Sequence, residues 1–212
     1  MKKDKVYIIG TGGHAQVVID AILNSGFDVS GIFDDNKSLI GQYIFNIPVL
    51  GKIEKVREYD DSRFVVAIGD NETRMQIVEK LGFPDERFFT VIHPSAVIGK
   101  NVEIGVGSMV LGGVVINTGT SIGKHCIINT SASIDHHNKI SDFVHVAPGT
   151  HTGGNVTIEE GSFLGIGVSV IPGIKISKWS IIGAGSVAIE DVPDYATVVG
   201  VPGRVIKRRQ DI

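Results

Sequence analysis

The sequence predicts two folds in tandem, an α/β domain on a parallel sheet and then a parallel β-helix, and three observations carry that expectation. Residues 1–90 alternate short apolar runs with helical patterns. From Ile92 onward an aliphatic residue returns every six positions. Composition also changes near residue 90, with 9 of the 27 glycines but 10 of the 14 aromatics before it. With 42 % hydrophobic and 20 % charged residues in a chain of 212, both parts are expected to bury cores. The net charge of −3 lacks the positive field of a nucleic-acid binder. No apolar run reaches the roughly 18 residues of a membrane span. The opening Met1-Lys2-Lys3-Asp4-Lys5 leads into a short apolar stretch unlike a signal peptide, so a cytoplasmic location is expected. Cys126 is the single cysteine, which excludes an intrachain disulfide and a thiolate-rich zinc site. A metal would need histidines, and none is expected.

In chain order, residues 6–9 read as a strand, 10–15 as a glycine turn and 15–24 as a helix with Val18, Ala21 and Ile22 on one face. Residues 29–33 form a second strand ending in Asp34-Asp35. Residues 64–68 form another, ending in Gly69-Asp70-Asn71 before a helix to about residue 81. Gly10, Gly12 and Ala15 fit the G-x-G-x-x-[GA] pattern of a Rossmann-like nucleotide-binding domain. There, bare amides at a helix N-terminus hold phosphate. Asp34 lies where a ribose-reading acid is expected. The unit is too short for a complete dinucleotide fold, which favours a mononucleotide or sugar nucleotide.

The second part repeats every six residues. Of the seventeen positions from Ile92 to Ala188, fifteen are Ile, Val or Leu. Two positions earlier the side chain is usually small, as at Ala96, Ser108, Thr120, Cys126 and Ala132, and both sets must face inward. An α-helix cannot carry this period. Three hexads per coil stack residues 18 apart at about 4.8 Å, with residues 92, 110, 128, 146, 164 and 182 in one ladder. Glycines often follow the aliphatic residue, as at Gly99, Gly105, Gly123, Gly165 and Gly183, and read as sharp corners needing permissive dihedrals. The boundary is expected at 90/91, with a basic end of Arg204, Lys207, Arg208 and Arg209 that is either a solvated tail or a partner for phosphates.

Together with Gly10-Thr11-Gly12-Gly13-His14-Ala15, Phe33-Asp34-Asp35, Ile68-Gly69-Asp70-Asn71 with Arg74, Phe143-Val144-His145-Val146 and Gly200-Val201-Pro202-Gly203, the uninterrupted hexads give a pattern that resembles the NeuD/PglD-like sugar O/N-acetyltransferases of the hexapeptide-repeat superfamily. The resemblance runs end to end. It implies a left-handed β-helix, a homotrimer, acetyl-CoA as co-substrate and a nucleotide-linked amino sugar, or sialic acid, as acceptor. Within it, a UDP-4-amino-4,6-dideoxy sugar is favoured, with GDP-perosamine open. It also implies that His136 is the catalytic base and that His145 contacts the acetyl thioester. Gly154, Ile166, Ala184 and Gly185 would line the CoA, and Gly10, Gly12, Gly13, His14, Asp34, Asp35, Gly69, Asn71 and Arg74 would hold the acceptor. Relatives carry an acid directly after the base, whereas here His137 stands in that orienting position. Of the other histidines, His93 is expected to be structural, and His125 and His151 to be surface corner residues.

Acetyl transfer needs a base near neutral pH, for which histidine is the natural choice. His136 and His145 are nine residues apart, half of an 18-residue coil, so they project from opposite sides of one prism. If both serve one acetyl group they meet across a subunit boundary. A zinc carbonic anhydrase on the same coil, a non-catalytic trimeric scaffold and an acetyltransferase for an unlinked acceptor remain the alternatives.

Overall fold

The computed structural model describes residues 5–209. Its first domain holds β1 (Lys5–Ile9), α1 (Gly13–Asn24), β2 (Val29–Phe33), β3 (Tyr43–Ile44), β4 (Ile47–Gly51), β5 (Ser62–Val66) and α2 (Asn71–Leu81). The sheet order is β3-β4-β2-β1-β5, parallel except for β3. The chain leaves β1 toward β2 and later returns to its other side as β5. The strand order therefore reverses between β1 and β5, and the loops after both strands face one crevice. The β3–β4 hairpin was not expected from the sequence. Phe45 and Asn46 both take positive φ (49° and 63°) in its two-residue turn, while Pro48 in the following run masks the strand signal.

Beyond Phe89 the chain winds into a three-faced coil whose strands pair 18 residues apart. Val110 lies between Ile92 and Ile128, Val146 follows Ile128, and Leu164 and Ile182 continue the ladder. Ile92 is partly exposed at the open end, and the others are buried. The second inward set is closed by hydroxyl bridges between coils. Ser108 Oγ donates to the Gly123 carbonyl (2.8 Å) and accepts from the Cys126 amide (2.9 Å). Thr120 Oγ1 does the same with the Asp135 carbonyl (2.8 Å) and the Asn138 amide (3.1 Å). Polar side chains inside the prism thus leave those groups paired.

The glycines after the aliphatic residue are present for a different reason from the one their position suggests. Gly99, Gly105, Gly123, Gly165 and Gly183 have no positive φ; the left-handed corner falls two residues later, at Asn101, Gly107, Gly113, Gly119, His125, Ser131, His137 and Phe143 onward. What Gly105 supplies is room, because an added Cβ would lie 2.4 Å from the Gly123 carbonyl carbon. Gly99 and Gly165 meet the next coil similarly, at 2.8 and 2.7 Å from backbone nitrogens.

The three faces differ outside. One presents Val91, Met109, Ile127, His145, Phe163 and Ile181; its lower part is covered by the first domain, where Ala15, Val18, Ile19 and Ile22 share a cluster with Phe89, Met109, Leu111 and Ile127. A second presents Glu103, Ser121, Lys139, Thr157 and Lys175. The third presents Val97, Val115, Ser133, His151, Ser169 and Val187 and carries no acid, lysine or arginine. The basic end is not a loose tail: Arg204–Arg208 is a strand, antiparallel to Ala196–Val199, that extends the covered face.

Gly105→Ala is expected to lower stability by about 1–3 kcal/mol, because the clashing atoms are backbone of the adjacent coil. Gly149→Asn, at a left-handed corner with open space around its α-carbon, is expected to change it little. Urea midpoints of the two variants measure the difference.

Candidate active site at the domain junction

Helix α1 begins at Gly12 with no side-chain cap and no acid in its first turn, so its leading amides face the β1–β5 crevice without a fixed partner in the cap. Gly12 and Gly13 have open space above their α-carbons. Gly10 instead is required by its φ of 111° and by Ile68 and Ala67, which an added Cβ would strike. Asp34 is held in place by its neighbours. One carboxylate oxygen accepts from Thr11 Oγ1 (2.6 Å) and the other from the Asn36 amide (2.8 Å), bracing the glycine turn against the β2 loop. Asp35 is exposed, with one oxygen on the Ile53 amide (3.1 Å), and is the more available acid.

Two residues expected at the acceptor hold the domains together, although Asn71 also lines the cleft between α2 and the coil. Arg74 is fully buried between the domains, where its guanidinium donates to the carbonyls of Ile68 (2.8 Å), His125 (2.8 Å) and Phe143 (2.8 Å) and to Asn71 Oδ1 (2.8 Å). Asn71 in turn donates to the Gly161 and Ser162 carbonyls of the coil (3.0 and 3.2 Å). Both clamp α2 onto the coil, and their polar atoms are taken up in doing so. His125 likewise is no surface residue: it is buried, its ring stacked on Phe143 at 5.4 Å and met edge-on by Phe88 at 4.6 Å.

His145, His14 and Gly69 do come together. His145 Nδ1 lies 3.1 Å from the Gly69 carbonyl, which can only accept, so Nδ1 carries the proton. Nε2 is then the acceptor for Asn129 Nδ2 at 3.1 Å, and Asn129 is held by the Thr130 amide on its Oδ1 (2.8 Å). Asn129 was not singled out in the sequence, where it is one of several corner residues. The His14 ring centroid is 6.1 Å from that of His145, and its buried Nε2 has no protein partner. Burial, then the Arg74 charge, pushes the His14 pKa down to about 4 and that of His145 down to about 3. Both rings are neutral at physiological pH.

His136 and His137 occupy the corner between the other two faces, across the prism from the face that carries His145. Their Nδ1 atoms are 3.0 Å apart. Gly154 is the seat of the His136 ring, whose Cε1 an added Cβ would meet at 2.4 Å, so this glycine's room is filled by the histidine rather than left for a pantetheine chain. Asp135 turns aside, accepting from Asn117 Nδ2 (2.9 Å) and the His136 amide (2.8 Å).

On the edge after His145 the outward positions are small, with Ala147, Gly165 and Gly183 in one column and the exposed Ile166 beside them. The Gly185 amide already donates to the Ile166 carbonyl (2.8 Å), so of the backbone groups expected there that one is committed to the coil. A cleft of about 260 Å³ opens between α2 and this face, lined by Gly69, Phe163, Trp179 and Ile181. Arg209 closes its rim on Glu72 at 2.6 Å. Arg204 faces Glu190 at 3.8 Å. Among the described residues no three His, Cys, Asp or Glu side chains gather as a metal would need, and no helix is long and apolar enough to cross a membrane.

Burial, followed by the Arg74 charge, also holds the His125 pKa down at about 4. With His14, His125 and His145 all below the unfolded value near 6.5, the unfolded chain binds more protons as pH falls from about 6.5 toward 4. Stability is therefore expected to decline over that window. His125→Phe, which keeps the stack, should make the decline shallower in urea midpoints measured from pH 7.5 to 4.5.

Residues 5–81 match the PglD N-terminal domain family. The first curated relatives match over 22 % and 50 % of their own length; the second is UDP-N-acetylbacillosamine N-acetyltransferase of Bacillus subtilis, 40 % identical over half of this chain. GDP-perosamine N-acetyltransferase of Escherichia coli O157:H7 is 30 % identical over 95 % of this chain and 96 % of its own. Among solved structures, PerB of Caulobacter crescentus in complex with CoA and GDP-perosamine superposes with a TM-score of 0.88 at 38 % identity, covering 96 % of this chain and 97 % of that one. The acetyltransferase domain of PglB from Neisseria gonorrhoeae, in complex with acetyl coenzyme A, gives 0.88 at 31 %, covering 96 % and 100 %. Superposition of that extent requires the same hand of coil, and the second domain is a left-handed β-helix. With a relative matched across both domains, the chain belongs to the PglD-like family of hexapeptide-repeat sugar acetyltransferases.

Proposed function

We propose that this protein transfers the acetyl group of acetyl-CoA to the amine of a nucleotide-linked 4-amino sugar, at a site shared between subunits of a homotrimer. The observation that carries the reading is the likeness across both domains to PerB, whose structure holds CoA and GDP-perosamine together. The local geometry supports it. Bare amides at Gly12 and Gly13 suit a diphosphate, Asp35 is available for the ribose or base, and His14 and Gly69 extend the crevice toward His145. The smooth edge at Ala147, Gly165 and Gly183, with Ile166, Ala184 and Gly185 beside it, suits a pantetheine arm running up to His145. Guanosine is the first base to test and uridine the second, because GDP-perosamine is named in the Escherichia coli relative and in the PerB complex, each matched over nearly its full length.

The surface of the coil supports the trimer. The face bearing Val97, Val115, Ser133, His151, Ser169 and Val187 is uncharged and uncovered within one chain, and it lies between the His145 edge and the His136 corner. Packing that face around a threefold axis brings His136 of one subunit to the His145 edge of the next. There His136 accepts the proton of the attacking amine. The new C–N bond forms as the carbonyl becomes tetrahedral, and collapse expels the CoA sulfur, which takes the proton back from His136. Neutral His145, its proton held on Gly69, keeps Asn129 turned toward the thioester.

Thiol release from acetyl-CoA against a panel of GDP- and UDP-amino sugars and sialic acid tests the reading. Release with none of them would leave the trimeric scaffold. His136→Ala is expected to lower kcat by about 10²- to 10⁴-fold with little change in either KM. Mixing inactive His136→Ala with inactive His145→Ala protein and letting trimers reassort should return part of the activity. No recovery in verified mixed trimers would exclude the shared site.

A further inference from the structure

We propose that His137 is the positioning residue for His136, an imidazole doing the work of a carboxylate: its Nδ1 accepts the Nδ1–H of His136 and so turns the His136 Nε2 lone pair toward the acceptor amine. The inference rests on the reading of His136 as base. It starts from the 3.0 Å separation of the two Nδ1 atoms. The rings are nearly perpendicular, 77° apart with centroids at 5.2 Å, so they meet through their nitrogens rather than their faces. Such a bond requires one protonated and one bare nitrogen, which two imidazolium rings cannot provide.

Both rings are seated by glycine. His136 lies over Gly154, and His137 lies over Gly119, where an added Cβ would fall 2.8 Å from Cδ2. His137 also sits at a left-handed corner (φ 56°), with its amide on the Thr118 carbonyl at 3.0 Å. Asp135, the adjacent acid, is spent on Asn117 and on the His136 amide. The ionisable groups around the pair are Asp135, Lys139 on the strand that follows, His151 bonded to Ser133 on the strand face before it, and Lys100 two coils below. The coils directly below and above contribute Asn117-Thr118-Gly119 and Gly153-Gly154-Asn155, none of which titrates.

During attack, His136 Nε2 takes one proton from the amine and its Nδ1–H bond to His137 becomes charge-assisted. When the thioester collapses, that proton passes from Nε2 to the departing sulfur and the pair returns to its starting state. A neutral acceptor stabilises the imidazolium less than a carboxylate does and more than no acceptor at all. The acid limb of the pH–rate profile should therefore fall at lowest pH for His137→Gly, at intermediate pH for the native enzyme and at highest pH for His137→Glu.

His137→Gly suits the backbone, since Gly119 holds the equivalent corner one coil below with φ of 72°. The experiment measures kcat and kcat/KM for acetyl-CoA from pH 5 to 9 at saturating GDP-perosamine in the three proteins, using whichever acceptor of the panel is turned over if that one is not. Titration of the acceptor amine is common to all and cancels in the comparison. The expected result is a fall in kcat of about ten- to a hundredfold in His137→Gly, an acid limb displaced downward, and recovery to within about threefold of native kcat in His137→Glu. An unmoved limb in His137→Gly, or a kcat within about threefold of native, would overturn the proposal. Full activity in His136→Ala would instead remove the base reading itself, whatever His137→Gly shows.

Discussion

The buried guanidinium of Arg74 is the contact on which the relation between the two domains depends. Its hydrogen-bond partners are neutral, the carbonyls of Ile68, His125 and Phe143 and the Asn71 amide oxygen, with the Asp70 carboxylate near enough to act on its charge. Cys126, close by, has its thiol pushed up to about 12 chiefly by burial and stays neutral. A charge so placed is tolerated because oriented dipoles replace its water. The consequence reaches the site, since the same charge helps hold His14 and His145 in the neutral form. The clamp that joins the domains thus also sets the protonation of the rings between them.

The coil acts as a ruler. With 18 residues per turn, neighbours along an edge differ by 18 and opposite sides by nine, so His145 and His136 belong to different walls of the prism. The edge above His145 keeps its profile low with Ala147, Gly165 and Gly183, where any larger side chain at Gly165 would strike the Ala184 backbone. Packing and access have a common cause here. The glycines that let coils approach also leave the outer edge smooth.

The left-handed corners explain why functional side chains appear where glycine would be cheapest. A non-glycine residue in that conformation costs of order 1 kcal/mol or more, and persists where its side chain gains a contact in return. His125 gains a stack with Phe143 and Phe88, and His137 gains its bond to His136. Asn101, Ser131 and Asn155 hold the same corner with short polar side chains that tolerate it.

Much of this was legible in one dimension. A six-residue aliphatic period has no solution except a three-faced parallel coil, so the ladder from Ile92 to Ile182 and the nine-residue offset follow from counting. The glycine turn and alternating elements identified a parallel sheet in the same way, because they reflect local backbone demands. What the sequence did not show was the internal role of residues whose partners are distant in the chain. Arg74 and Asn71 read as acceptor ligands and are found clamping the coil 51 to 91 residues away, and Asp34 braces Thr11. Gly154 looked like room for a ligand and is room for His136. The period is a property of each residue and its neighbours and survives in the sequence. Which buried polar group meets which depends on how the two domains dock, and only the tertiary structure decided that.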